Sequence, residues 1–130
     1  MQSPTKHTDA RGFFQELYHF NSDFTPCQVS WLSIEPGQIR GGHFHELTSE
    51  IFIVLEGSVR FVSIKDGTTT IYTINAGCSA RTCPYEDHAF YSEEGCKILA
   101  FANRHFNPND PDCFYTSQSL SAAKKLMDHI

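Results

Sequence analysis

The residues of this chain best suited to chemistry are two histidines and a glutamate, His43, His45 and Glu50. Side chains on a strand point alternately to opposite faces, so histidines two positions apart face the same side. A strand that turns back after a short loop would bring the Glu50 carboxylate beside them. Two imidazoles and a carboxylate suit a first-row transition metal with open coordination positions. The same imidazoles without a metal would suit proton abstraction.

Glycines at fixed distances frame these residues. From Gly37 to Gly57 the chain reads Gly-x5-His-x-His-x4-Glu-x6-Gly, which resembles the first motif of the cupins. A looser second match runs from Gly77 through Pro84 to His88. The resemblance implies an all-β cupin jelly-roll β-barrel and one shared site, whose metal ligands are His43, His45, Glu50 and His88. It implies a divalent metal, zinc first, with nickel, iron or manganese as alternatives, and no organic cofactor. Some cupins with this spacing use the histidines without a metal instead.

Length and composition narrow the classes of protein further. The chain has 130 residues and a mass of 14.7 kDa, enough for one domain with its own core. The formal net charge is −5 and the basic residues are scattered, so we expect no nucleic-acid partner. The longest apolar run, 51–55, cannot span a bilayer, and no apolar signal segment is visible. We therefore expect a cytoplasmic protein without a membrane partner. Its five cysteines are an odd number without a Cys-x-x-Cys pair and are expected to be free thiols in a reducing compartment.

The elements that must position the histidines are mostly short strands. Segments rich in β-forming residues predict strands at 13–19, 28–34, 51–55, 58–64, 69–74, 79–82, 88–91 and 98–101. The breaks between them include Gly41-Gly42, Glu56-Gly57 and the hairpin dipeptide Asp66-Gly67. A helical period of apolar residues predicts a short C-terminal helix within 117–130. This order favours a jelly roll, with a cupin domain at 1–115 and a helical extension of the same domain at 116–130.

Two arginine motifs flank the histidine stretch. The chain reads Asp9-Ala10-Arg11-Gly12-Phe13-Phe14-Gln15-Glu16 near its start, and Arg40-Gly41-Gly42 leads into His43. Both resemble motifs of the sugar-nucleotide cupins, which include dTDP-4-dehydrorhamnose 3,5-epimerases, 3,4-ketoisomerases of deoxysugar pathways, and the C-terminal cupin domain of capsule-polysaccharide epimerase/reductases. The resemblance to the last group extends over about residues 8–115 and includes the tail from Phe101 to Phe114. In that group the cupin is fused behind a reductase.

This resemblance implies an isomerase or epimerase that acts on a UDP- or dTDP-linked 4-keto-6-deoxyhexose in bacterial surface-polysaccharide or deoxysugar biosynthesis. A carbonyl at C4 acidifies the hydrogen on C3, and His43 is the expected base. Proton return to the other face of C3 would give the 3-epimer, whereas a 3,4-ketoisomerase would return the proton at C4. The metal motif alone also fits an iron-dependent cupin dioxygenase. A non-catalytic sugar-binding cupin is a further alternative.

The resemblance also implies roles for residues outside the histidine stretch. A guanidinium matches phosphate geometry, so Arg11 and Arg40 are expected at the substrate diphosphate. Tyr91 is the candidate catalytic acid. The full set of expected substrate-binding residues is Arg11, Glu16, Trp31, Arg40 and Tyr85. Cupin sheets usually leave an edge that pairs with a second chain, so we expect a homodimer, with the N-terminal segment a candidate for strand exchange.

Overall fold

The computed structural model describes residues 2–128, so Met1, His129 and Ile130 lie outside the described residues, together with the end of the predicted 117–130 helix. The strands are β1 (Lys6–Asp9), β2 (Gly12–Gln15), β3 (Gln28–Ile34), β4 (Gln38–Phe44), β5 (Glu50–Lys65), β6 (Thr68–Asn75), β7 (Ser79–Thr82), β8 (Asp87–Ser92), β9 (Cys96–Ala102) and β10 (Phe114–Tyr115). The helix is α1 (Gln118–Met127). The prediction of an all-β protein with a short C-terminal helix is confirmed.

Eight of the strands form one antiparallel sheet in the order β10-β4-β8-β5-β9-β3, with β6 and β7 paired to β5. The first half of β5 pairs with β7 and β9, and its second half pairs with β6 and β8. Because one long strand belongs to both halves, the sheet curls into a half-barrel. The main buried cluster includes Ile34, Phe52, Val54, Val59, Phe61, Ile74, Phe90 and Ile98.

The prediction of two separate strands at 51–55 and 58–64 is wrong, since β5 runs through Glu56-Gly57 without ending. The irregularity there is a register shift against β9 between Val54 and Glu56. Gly57 has φ +78°, and a Cβ on it would lie 2.2 Å from the Gly95 carbonyl oxygen. The glycine therefore marks a bulge, where the strand bends beside a neighbouring backbone.

Gly41-Gly42 is likewise not a break, because both residues lie within β4. The register against β8 shifts between Gly41 and His43, so that one extra residue is accommodated and His43 pairs with His88. A Cβ on Gly41 would lie 2.8 Å from the His88 carbonyl oxygen. This bulge sets the two histidines opposite each other.

The N-terminal strand is shorter than the predicted 13–19. β2 pairs with β1, which the sequence did not predict, in a separate two-stranded sheet. After β2 the chain leaves the sheet because its apolar residues pack together over the outer face of β5. That outer cluster contains Phe24, Ile51 and Ile53, with Leu17, Tyr18, Phe20, Leu55 and Phe101 packed against it.

Helix α1 covers the other outer face of the sheet, where Ala123 packs with Val62, Ala89 and Tyr91. Ser117, at the N-cap, makes no side-chain capping bond. Instead Asp87 of β8 accepts hydrogen bonds from side chain and backbone of the first turn. No helix in residues 2–128 is both long and apolar enough to cross a membrane, and a cytoplasmic location stays a prediction.

Candidate active site

The structure brings the four motif residues into one cluster. His43 on β4 lies opposite His88 on β8. His45 follows the end of β4, and Glu50 begins β5. Taking one ligand atom from each residue, these atoms all lie within 4.8 Å of one another. The short loop between His45 and Glu50 therefore returns the carboxylate to the histidines.

Hydrogen bonds on the outer ring nitrogens orient two of the imidazoles. His45 Nδ1 donates to the Asp112 carbonyl at 2.5 Å, and His88 Nδ1 donates to the Glu86 carbonyl at 2.9 Å. A carbonyl can only accept, so the ring proton lies on Nδ1 and Nε2 carries a lone pair in the neutral imidazole. The nearest carboxylate oxygen, Glu50 Oε1, is 2.7 Å from His45 Nε2 and 3.8 Å from His88 Nε2.

When His45 is neutral, this arrangement turns acceptor atoms toward one another. Within residues 2–128, His45 Nε2, Glu50 Oε1 and His88 Nε2 are buried and lack a well-aligned hydrogen bond. Buried polar atoms without partners are costly, and a cation between them would remove that cost. Imidazole nitrogens and a carboxylate oxygen are common ligands of zinc and other divalent first-row metals. These three residues therefore fit the predicted metal.

Burial and neighbouring charge give the three histidines different pKa values. Burial, followed by the charges of His88 and His45, lowers the pKa of His43 from 6.5 to about 4. Burial is also the main reason that the pKa of His88 is lowered. Burial acts in the same direction on His45, but the adjacent Glu50 carboxylate outweighs it, and the pKa is raised. His43 is thus neutral at pH 7 and can accept a proton.

A cavity of about 220 Å³ opens beside the cluster. His43, His45 and Glu50 form one part of its wall, and Gln28 of β3 forms another. The remaining side comes from the loop that follows β9. The volume is below the roughly 300–1,000 Å³ typical of pockets for drug-sized ligands. It suits a single sugar ring.

The charged residues expected at the substrate lie outside this cavity. Arg11 is exposed at the turn between β1 and β2, and its Nη2 is 2.6 Å from Asp9 Oδ2. Glu16 is exposed as well. Arg40 lies on β4, and its Nε donates to the Ser33 carbonyl of β3 at 2.8 Å. None of these predicted residues lines the cavity of its own chain.

The expected aromatic residues also lie elsewhere. Trp31 is 66% exposed on β3, and Tyr85 is 63% exposed beside Phe44, with ring centroids 6.1 Å apart. Tyr91 is buried beneath α1. Because side chains alternate along β8, His88 faces the cluster and Tyr91 faces the opposite side. The structure does not bring the candidate acid Tyr91 to His43.

Asp112 is a site residue that sequence reasoning missed. Its carboxylate accepts hydrogen bonds from the N–H groups of Glu46 and Leu47 and from Thr48 Oγ1, at 2.8, 2.9 and 2.7 Å. Its carbonyl orients His45. Asp112 thus ties the loop after β9 to the turn that carries His45. No local pattern signals such a contact, because its partners lie 64 to 67 positions away.

The family model of the polysaccharide biosynthesis C-terminal domain matches residues 7–114. The chain belongs to this family. The match includes all four residues of the cluster and the loop after β9.

Two relatives differ in how much of their own length this chain matches. The chain is 28% identical over 117 residues to UDP-2-acetamido-2,6-beta-L-arabino-hexul-4-ose reductase of Pseudomonas aeruginosa, covering 85% of this chain and 31% of the reductase. It is 26% identical over 120 residues to the spore coat polysaccharide biosynthesis protein SpsL of Bacillus subtilis, covering 82% of this chain and 80% of SpsL. The chain therefore spans about a third of the reductase's length.

Solved structures share the fold at low sequence identity. A double mutant of the 3,4-ketoisomerase QdtA from Thermoanaerobacterium thermosaccharolyticum, in complex with TDP, matches with a TM-score of 0.71 and 22% identity, covering 95% of this chain and 92% of QdtA. The rmlC epimerase of Mycobacterium tuberculosis matches with a TM-score of 0.68 and 20% identity, covering 82% of this chain and 64% of the epimerase. The cupin fold and the resemblance to sugar-nucleotide cupins are confirmed.

Proposed function

We propose that this protein is an isomerase that removes and returns the C3 proton of a nucleotide-linked 4-keto-6-deoxyhexose in surface-polysaccharide biosynthesis. The observation that carries the proposal is His43, a neutral imidazole that faces a sugar-sized cavity beside His45, Glu50 and His88. The relatives support the substrate class, since one is named for a UDP-linked hexulose and structural neighbours are a ketoisomerase and an epimerase. The family description supports the pathway.

His43 accounts for the proton transfer. The C4 carbonyl acidifies C3, so His43 takes that proton and leaves an enolate whose negative charge lies on the C4 oxygen. A proton delivered by solvent to the opposite face of C3 gives the 3-epimer, and His43 then releases the proton it took to solvent. With a pKa of about 4, His43 is a weak base. The reaction therefore depends on stabilising the enolate oxygen.

His45, Glu50 and His88 would hold a divalent metal, with zinc as the first candidate. A bound metal supplies positive charge that stabilises an enolate oxygen. The sequence predicts His43 as a fourth ligand, but we assign it to proton transfer because it lines the cavity and, unlike His45 and His88, its ring makes no hydrogen bond with another described residue. The Asp112 and Glu86 carbonyls keep the other two imidazoles turned toward Glu50.

Deuterium exchange tests the proposal directly. The protein is incubated in deuterium oxide with UDP- and dTDP-linked 4-keto-6-deoxyhexoses, and mass spectrometry and NMR locate the incorporated deuterium. We expect incorporation at C3 that His43→Asn abolishes, while His19→Asn, which changes an exposed histidine outside the cavity, retains it. Absence of deuterium at both C3 and C4 with every sugar, in protein shown to be folded, would refute the isomerase proposal.

A 3,4-ketoisomerase is the second candidate, because the structural match to QdtA covers 95% of this chain. Both reactions begin with loss of the C3 proton and diverge at its return. NMR of the product separates them: deuterium at C3 with the 4-keto group retained indicates epimerisation. Deuterium at C4 with a new 3-keto group indicates ketoisomerisation.

We also propose a homodimer. The β1–β2 hairpin forms a sheet of its own and is exposed on both faces, although an isolated hairpin is marginally stable in water. On the edge strand β3, Val29 and Trp31 are 58% and 66% exposed. Packing of the hairpin on a second copy would cover apolar surface and offers Arg11 a route to that copy's cavity. Light scattering should give the mass of two chains for the wild type and of one chain for Trp31→Ser with Phe14→Ser.

A further inference from the structure

The loop after β9, residues 103–113, is held against the barrel at three places. Asn103 exchanges hydrogen bonds with the backbone of Ser49. The Phe106 N–H donates to Gln28 Oε1 at 2.9 Å. At the far end, the Asp112 carboxylate binds the turn after β4. A loop held at both ends and near its middle presents its side chains at set positions around the cavity.

Arg104 is the cation on this side of the cavity. Of the lysines and arginines in residues 2–128, it is the one that lines the wall. It makes no hydrogen bond or ion pair with another described residue. Three acidic residues also line the cavity. Glu50 faces the imidazoles and the Asp112 carboxylate binds the turn after β4, so Asp110 is the one whose carboxylate makes no hydrogen bond within the described residues. An unpaired guanidinium at a cavity mouth suits a phosphate oxyanion.

Phe106 presents a bare aromatic face near Arg104. Its side chain is 63% exposed, it lines the cavity, and within the described part of the chain it stacks on no other ring. Its backbone is nevertheless fixed by Gln28. An exposed ring on anchored backbone is a platform on which a flat base can stack.

The cavity, at about 220 Å³, has room for one sugar ring, so the rest of a nucleotide sugar must leave through the mouth. We propose that this exit is a nucleoside diphosphate subsite, with Arg104 on the diphosphate and Phe106 stacked on the base. The proposal rests on the proposed function, which makes a nucleotide sugar the substrate. Because Arg11 and Arg40 do not line their own chain's cavity, Arg104 supplies the phosphate contact from within the chain.

Calorimetric titration with UDP, dTDP and inorganic pyrophosphate tests the subsite apart from catalysis. We expect Arg104→Ala to weaken all three roughly 10-fold to 100-fold, with partial recovery in Arg104→Lys. Phe106→Ala should weaken the nucleotides roughly 10-fold and leave pyrophosphate unchanged. The matched control is Arg60→Ala, which replaces an exposed arginine of β5 outside the cavity. It should leave all three affinities unchanged. Asp110→Asn should not weaken nucleotide binding, because it removes a negative charge beside the diphosphate.

The outcomes separate this subsite from the isomerase. Equal affinity of wild type and Arg104→Ala for both nucleotides overturns the subsite, and so does failure of the wild type to bind either. Nucleotide binding that depends on Arg104 and Phe106, without deuterium entering C3 or C4 of any sugar, keeps the subsite and refutes the isomerase. C3 exchange with an unchanged KM in Arg104→Ala keeps the isomerase and removes the subsite.

Discussion

His43 differs from the two histidines beside it in what its ring contacts. The rings of His45 and His88 are each held by a backbone carbonyl and turned toward Glu50. His43 meets His88 with ring centroids 4.8 Å apart and lines the cavity. In the proposed function, one imidazole is therefore left to act on a substrate while its neighbours would hold a cation. A difference in protonation among the three rings should be measurable.

The pKa of His43 is the first quantity to measure, by NMR of metal-free protein. Since burial and the neighbouring histidines lower it from 6.5 to about 4, we expect the His43 resonances to titrate near pH 4. Between these values the unfolded chain binds a proton that the folded protein does not, so this contribution to stability falls as pH drops from 6.5 toward 4. Titration near 6.5 would contradict the expected environment of His43.

Replacing Asp112 should disturb both stability and metal binding. Asp112→Ala removes the acceptor of three hydrogen bonds from the turn that carries His45. We expect a loss of about 1–3 kcal/mol in urea unfolding and a zinc affinity lower by roughly 10-fold to 100-fold. Asp110→Ala is the matched control, since its side chain makes no hydrogen bond within the described residues. Unchanged zinc affinity in Asp112→Ala would limit its role to the fold.

At the scale of elements, two bulges shape the site. The shift between Gly41 and His43 puts His43 opposite His88, and the shift near Gly57 lets β5 serve both halves of the sheet. Both depend on a close backbone approach that a side chain would block. The loss of unfolding free energy when a glycine is replaced by alanine should therefore depend on what surrounds that glycine.

Two glycines with the same backbone conformation test this dependence. Gly57 and Gly67 have φ +78° and +76°, but a Cβ on Gly57 would lie 2.2 Å from the Gly95 carbonyl oxygen and one on Gly67 would meet nothing within 4 Å. We expect Gly67→Ala to cost about 1–2 kcal/mol from backbone strain alone. Gly57→Ala should cost roughly 3 kcal/mol or more in the same unfolding assay. Equal costs would mean that the bulge relaxes around a methyl group.

Asp87 links helix α1 to the strand that carries His88. Its carboxylate accepts from Thr116 Oγ1 and from the backbone and side chain of Ser119. We expect Asp87→Ala to lose roughly 3 kcal/mol, because buried donors lose a charged acceptor, and to speed amide hydrogen exchange in α1. Glu93→Ala, which removes an exposed carboxylate, is the control. Normal protection of α1 in Asp87→Ala would show that apolar packing alone holds the helix.

At the scale of the whole molecule, a metal would join β8 to the turn between β4 and β5, which is distant from β8 along the chain. His45, Glu50 and His88 come from the end of β4, the start of β5 and β8. A ligand that binds the folded state alone raises stability by mass action, by about 2.7 kcal/mol at 100 times its Kd. We expect EDTA to lower the Tm and zinc to restore it. His45→Ala should lose this response and His19→Ala should keep it. A wild-type Tm that changes with neither EDTA nor zinc would favour a site whose histidines work without a metal.

The sequence by itself determined the fold class and the members of the histidine cluster. Motif spacing and strand alternation are local properties, and they suffice to predict that His43 and His45 share a face and that Glu50 returns to them. The same locality explains the errors. A glycine inside a strand pattern signals irregular backbone, but a strand end and a bulge have the same local signature, so the sequence predicts a break at Glu56-Gly57 where β5 continues.

Only the tertiary structure decided what surrounds that cluster. Whether Arg11, Arg40 or Arg104 borders the cavity depends on how distant segments pack, and the answer was Arg104. Tyr91, the predicted acid, lies on the face of β8 that α1 covers, and a motif match does not reveal which face a helix will cover. Asp112 reaches the turn after β4 through hydrogen bonds that span more than 60 positions. Such contacts arise from the closure of the sheet, and no spacing along the chain encodes them.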